Sequence, residues 1–218
     1  ALPRFISITF ISIGDLDHAS NEPTRARFFM PSSNHRTLFI ALTVLLASGC
    51  GGGGSDASVN PAESVLHGTF LDAPVQGLAY QTPSQQGITD AQGRFAYRPG
   101  ESVTFSIGNL RLPSTSAKEQ LTPLDVFGTN DIQHPRVTNL LVLLQTLDTD
   151  GNTANGITLP AHLLTLDATS VRLDTNPDDF QGDATVHALV NEALGTSRAM
   201  ATAAQARLHF QNSLNNGL

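Results

Sequence analysis

The sequence predicts an α+β fold: a small antiparallel β-meander or sandwich over residues 65–113, followed by a small helical unit over 114–218. Three patterns carry the prediction. From Leu66 to Leu112, short alternating apolar and polar runs are closed at close spacing by Pro, Gly, Asn and Asp turns, the mark of antiparallel strands. Val137, Leu140, Leu141 and Leu144 then recur at i, i+3, i+4 and i+7, the helical period. Finally, Asp183 and Gly195 bracket a second apolar periodic run as N-cap and C-terminal stop,.

Taken in order, Leu66–Leu71 is a first strand, Asp72-Ala73-Pro74 a turn, and Val75–Tyr80 a second strand. Thr82–Gln86 reads as loop and Asp90-Ala91-Gln92-Gly93 as a turn into a third strand, Arg94–Tyr97. Val103, Phe105 and Ile107 lie on one face of a fourth strand, and Gly108-Asn109 is a hairpin signal of Gly-first, type II′ order that returns into Leu110–Leu112,. Pro113–Asp131 reads as a connection. Pro135 suits the first turn of the helix that runs to Leu147,. Val142 and Leu143 make this helix apolar almost all round, which marks it as the central buried one,. Ala161–Leu166 and Ser170–Leu173 are ambiguous, Asp178-Asp179 read as a solvated loop, and Ser197 is the expected cap of a last helix carrying Met200, Ala203, Ala204 and Leu208.

The runs G-T-F-L-D-A-P-V, T-D-A-Q-G-R-F and P-G-E-S-V-T-F resemble the carboxypeptidase-regulatory-like (transthyretin-like) modules of secreted proteins, over Leu66–Leu112. The residues of that likeness are structural: Asp90 can accept from the backbone two residues on, and Gly93 supplies positive φ,. Too few strands precede residue 113 for the whole sandwich, which leaves it truncated or completed by later segments.

Upstream, Arg36 precedes the apolar run Thr37–Leu46, small residues follow, and then comes Cys50, the single cysteine. This is the layout of a secretory signal, and the run is far short of the ~20 residues that span a bilayer. Leu46-Ala47-Ser48-Gly49-Cys50 resembles the lipobox of bacterial lipoproteins, which implies cleavage before Cys50 and acylation of its thiol and new amine. Gly51–Asp56 has the composition of a tether,. The expected organisation is an upstream, non-native extension over 1–29, a signal over 30–49 starting at Met30, and the lipidated cysteine with its tether over 50–64. In the enterobacterial lipoproteins this resembles, Asp after the cysteine retains the protein at the inner membrane. Gly51 therefore implies the outer membrane.

After Cys50 the chain carries eight Lys and Arg against sixteen Asp and Glu, a net of −8. That argues against nucleic acid and against a polybasic membrane patch. With Cys50 acylated, no internal disulfide can form.

No nucleophile elbow, H-E-x-x-H helix, P-loop or dinucleotide fingerprint occurs,. His67, His134, His162, His187 and His209 are scattered, so no catalytic residue is assigned. The one constellation is Asp148-Thr149-Asp150-Gly151-Asn152. Asp148, Asp150 and Asn152 alternate as the oxygen ligands of a calcium loop do. Thr153 and Leu159 stand where the EF-hand pattern needs Gly and a bidentate Glu, so the site would be incomplete, and its alternative is a plain turn.

The lipobox, the Gly tether, the Asp-x-Pro-Val meander and the Leu-Leu-Gln-x-Leu-Asp-x-Asp-Gly helix end together resemble a group of Gram-negative bacterial lipoproteins without assigned activity. The likeness implies location and architecture. The expectation is a lipid-anchored envelope protein with a binding, adhesion or structural role, its partners being the membrane through the anchor and an envelope protein or glycan. The alternatives are an envelope hydrolase, favoured by a pocket uniting Asp125, Asp131, His134 and His162, and an accessory subunit of an envelope complex.

Overall fold

The computed structural model describes residues 64–216, so the expected extension, signal, Cys50 and nearly all of the tether lie outside the described residues. The chain is α+β, with strands first and helices after. The first half supplies β1 (Leu66–Phe70), β2 (Val75–Gln76), β3 (Ala79–Gln81), β4 (Gln86–Ile88), β5 (Arg94–Tyr97), β6 (Ser102–Ile107) and β7 (Leu110–Arg111). The predicted strand Val75–Tyr80 is two strands, because Gly77 turns the backbone through a φ of +90°. β4 lay in the predicted loop and its lead-out. All three of its residues are exposed, so no alternation announced it, and backbone pairing to β3 defines it.

β4, β3, β6 and β7 form an antiparallel sheet in that order, and β5 pairs antiparallel with β1. The strand set is completed from beyond residue 113. β8 (Thr115–Ser116) pairs with β6, β9 (Gln120–Leu121) lies parallel to β1, and β10 (Ile157–Thr158) lies parallel to β2. The β1 crossing is tight: a Cβ on Gly68 would sit 2.3 Å from the Lys118 carbonyl and 2.5 Å from the Phe95 ring. Val103, Phe105 and Ile107 all point inward from β6. Phe105 meets Phe70 at 4.7 Å between ring centroids and Phe95 edge-on at 5.3 Å, contacts worth about 0.5–1.5 kcal/mol each beyond their burial.

The segment predicted as a connection also holds α1 (Pro123–Phe127), started by a Thr122–Asp125 capping box with Pro123 in its first turn,. α2 (Pro135–Thr146) is the central helix, buried at every residue from Val137 to Thr146. A helix enclosed on all sides must satisfy its own polar side chains inside the protein. Asn139 Nδ2 donates to the carbonyls of Leu173 (2.9 Å) and Thr175 (2.8 Å), pinning a stretch that has no regular structure of its own. Gln145 Nε2 donates to Asp72 and to the Ala206 carbonyl, tying the helix to both halves of the chain.

Ala161–Thr165 is a 3₁₀ turn, and α3 is Pro177–Gly182. The expected Asp178-Asp179 loop is instead the first turn of α3, where Asn176 caps and carboxylates offset the helix dipole,. α4 (Ala184–Leu194) is capped by Asp183 and stopped by Gly195, as its sequence predicts. α5 spans Ala203–Asn215 and starts at Thr202, not Ser197, because Thr202 and Gln205 form a reciprocal capping box. Its buried face is Ala203, Ala206, Phe210 and Ser213, while the expected stripe residues Ala204 and Leu208 face solvent. One cluster of buried apolar side chains runs from Phe70 to Phe210, so strands and helices share a single core.

Candidate functional site

Three segments converge beside the C-terminal end of α2: the Leu71–Pro74 turn, the 148–158 loop, and the face of α5 that carries His209. Asp72 in the turn is fully buried, and Gln145 Nε2 reaches both its oxygens, at 3.2 and 2.9 Å. Burial pushes its pKa up to about 8, only partly opposed by the Gln145 hydrogen bond, so the carboxyl is protonated at neutral pH,. His209 Nε2 lies 3.9 Å from Asp72 Oδ1, and burial depresses the imidazole pKa. The two groups therefore face each other in neutral form. On the other side of the ring, Nδ1 is 3.2 Å from the Thr153 hydroxyl.

Thr153 is brought here by the loop that sequence singled out. Asp148 Oδ1 accepts from the Thr158 N–H at 2.9 Å, and Thr149 N–H donates to the Thr158 carbonyl, closing the loop at its base. Asp150 accepts from Asn152 N–H and from Asn155 Nδ2. These bonds, the Asn155 side-chain amide foremost, hold the Asp150 pKa down; burial pushes that of Asp148 up, and its Oδ2 has no hydrogen-bond partner.

The structure thus brings Asp148 and Asp150 together but joins Asn152 through its backbone alone. The cation at this helix end is the guanidinium of Arg198, which donates to the carbonyls of Thr146, Asp148 and Thr149. A cation here offsets the partial negative charge of the α2 C-terminus. Both Asp150 oxygens and the Asp148 and Thr149 carbonyls are already engaged, while Asp148 Oδ2 is not. Among the described residues no group of three or more His, Cys, Asp or Glu side chains is placed to hold a metal ion. A calcium ion here would have to displace these bonds.

Above Thr153 and His209 the surface is hollow. A cavity of about 440 Å³ lies between the Ala73-Pro74 turn, the Thr153–Gly156 loop and α5 at His209, Asn212, Ser213 and Asn216. A second, also about 440 Å³, continues along α5 past Leu208 and Gln205 to Ala201, with Gln145 and Gly151 opposite. Thr153, His209 and Asn212 line both.

A hydroxyl nucleophile needs a base in hydrogen-bond reach and a partner that stabilises the base once charged. Thr153 and His209 meet the first condition. The second fails: 3.9 Å is beyond a hydrogen bond, and Asp72 is neutral and engaged by Gln145. In this arrangement the Thr153–His209 pair offers hydrogen bonds, and no carboxylate among the described residues lies within hydrogen-bond distance to orient the imidazole.

The residues set aside for an enzyme are used locally elsewhere. Asp125 closes the α1 capping box and pairs with Lys118, Asp131 accepts from Gln133 N–H, His134 is the N-cap residue of α2, and His162 is exposed on the 3₁₀ turn. His187 Nε2 is 2.8 Å from the Gln181 carbonyl, a boundary contact. Asp72, Gln145 and Thr153 were not singled out from sequence. Gln145 carried a signal: an amide on a helix otherwise enclosed by apolar residues requires a buried partner.

Compared with known proteins, the chain matches no family model, no curated protein and no solved structure.

Proposed function

We propose that this is a lipid-anchored protein of the bacterial cell envelope, held off the outer membrane by a Gly-rich tether, whose α+β body binds an envelope component. The observation that carries the binding reading is the hollow along α5: hydrogen-bonding groups line it, while its one hydroxyl–imidazole pair stops short of a carboxylate. The order of basic residue, apolar run, small residues, Cys50 and tether supports the anchor. No helix among the described residues is long and apolar enough to cross a membrane.

The reading is tested by expressing the full chain and its Cys50→Ser variant in a Gram-negative host and separating membranes on a density gradient. The parent belongs with outer-membrane vesicles, and the variant leaves them. Equal partition of the two would remove the anchor from the account.

A further inference from the structure

We propose that the groove along α5 is a binding site for an uncharged, hydroxyl-rich chain, a neutral oligosaccharide. This deepens the binding reading above and rests on it. The two cavities meet at Thr153, His209 and Asn212, and from Gln205 to Asn216 they follow α5 for about 16 Å at 1.5 Å per residue. That length suits several linked sugar rings, not a single small molecule.

Charge selects the class. The chain carries a net charge of −7, yet no Asp, Glu, Lys or Arg lines either cavity. With its pKa depressed, His209 is neutral as well. The nearest charges are already held, Asp150 by Asn155 and Arg198 by the loop carbonyls, so a phosphorylated, uronic or amino-sugar ligand would find no free counter-ion in the lining. The lining is a row of Gln205, His209, Asn212 and Asn216, spaced about a helical turn apart, facing the Thr153 hydroxyl and the Asn155 amide.

A side-chain amide both donates and accepts, as does each sugar hydroxyl, so one Asn can serve two neighbouring hydroxyls. No hydrogen bond occupies the Asn212 side chain, and Asn155 keeps its amide oxygen after Nδ2 is given to Asp150. Leu208, exposed on the same face of α5, offers an apolar contact for the C–H face of a ring. An extended peptide is the poorer fit, since peptides are held by sheet edges and by apolar pockets for alternate side chains. Here the walls are a helix, whose backbone groups are already paired, and a loop.

The test is calorimetric titration of the detergent-extracted full chain with four neutral tetrasaccharides: N-acetylchitotetraose, cellotetraose, maltotetraose and mannotetraose. Fully de-N-acetylated chitotetraose, a tetragalacturonate and tetra-alanine serve as comparators. The expected result is saturable binding of at least one neutral tetrasaccharide, weakened about tenfold by Asn212→Asp or Thr153→Val. Unchanged thermal midpoints show that both variants are folded. No binding of any neutral sugar, binding that ignores both substitutions, or tighter binding of a charged sugar or of tetra-alanine overturns the proposal. Membrane partition of Cys50→Ser is read separately, so a failure here leaves the anchoring reading standing and is distinguishable from its failure.

Discussion

His209 Nε2 faces Asp72 Oδ1 across 3.9 Å of buried space with no hydrogen bond between them, and burial keeps the acid protonated and the base neutral. The pair stabilises the fold in opposite senses as pH changes. Asp72, raised from 3.8 to about 8, favours the folded state at low pH and loses that contribution as pH rises through 8,. His209, lowered from 6.5, disfavours folding below 6.5 and ceases to matter above it,. The exposed carboxylates Asp90 and Asp183, with lowered pKa, lose their contributions only as pH falls through values below 3.8.

Between pH 6.5 and 8 Asp72 therefore acts with little opposition, and stability falls by up to about 1.4 kcal/mol per pH unit. Urea unfolding across that range measures it. Asp72→Asn mimics the protonated acid in shape and in its bond to Gln145, and it flattens the alkaline fall. A slope unchanged in Asp72→Asn would assign the proton elsewhere.

Arg198 donates to three carbonyls at the end of α2; without it the Asp148 carbonyl keeps only its bond from the Gly151 N–H, and the negative end of the helix loses this cation,. Arg198→Ala is expected to cost about 1–3 kcal/mol, read as a lowered denaturation midpoint. Excess calcium leaves the parent midpoint unchanged, because Arg198 already fills the cation's place. A calcium-dependent rise that disappears in the Asp148→Ala, Asp150→Ala double variant would restore the metal site to this loop.

Gly68 marks the closest approach in the strand layer. Gly68→Ala sets a methyl against the backbone of Lys118 and the Phe95 ring, with an expected loss of roughly 1–3 kcal/mol. Gly182→Ala, in α3 with open space around it, leaves the midpoint unchanged or slightly higher. Equal effects of the two would contradict the packing of β1 against β5 and the 118–121 segment.

Local physics made much of the fold legible. Pro135, the i, i+3, i+4, i+7 leucines, and the Asp183 and Gly195 caps act within one helical turn, and both helices appear where predicted. β6 showed through its strict alternation. The missed elements are short strands: β9 and β10 pair with partners far back in the chain, and β4 pairs with neighbouring β3 through three exposed residues. β4, β8, β9 and β10 are two or three residues long and exist by pairing, which no local pattern encodes.

α1 was different, since the Thr122-Pro123 start and Asp125 were there to be read. The Ser197 cap failed because Thr202 has Gln205 three residues on and Ser197 has no such partner. The site was half visible. The 148–158 loop stood out for its carboxylates, while what it positions is Thr153, opposite a histidine 56 residues away.

The central claim is that the protein is anchored through Cys50, and it is read most directly by intact and N-terminal peptide mass spectrometry of protein extracted from membranes. The account predicts a chain beginning at Cys50 with a diacylglyceryl thioether and an acylated amine. A cysteine of unmodified mass, with residues 37–49 still attached, would contradict it.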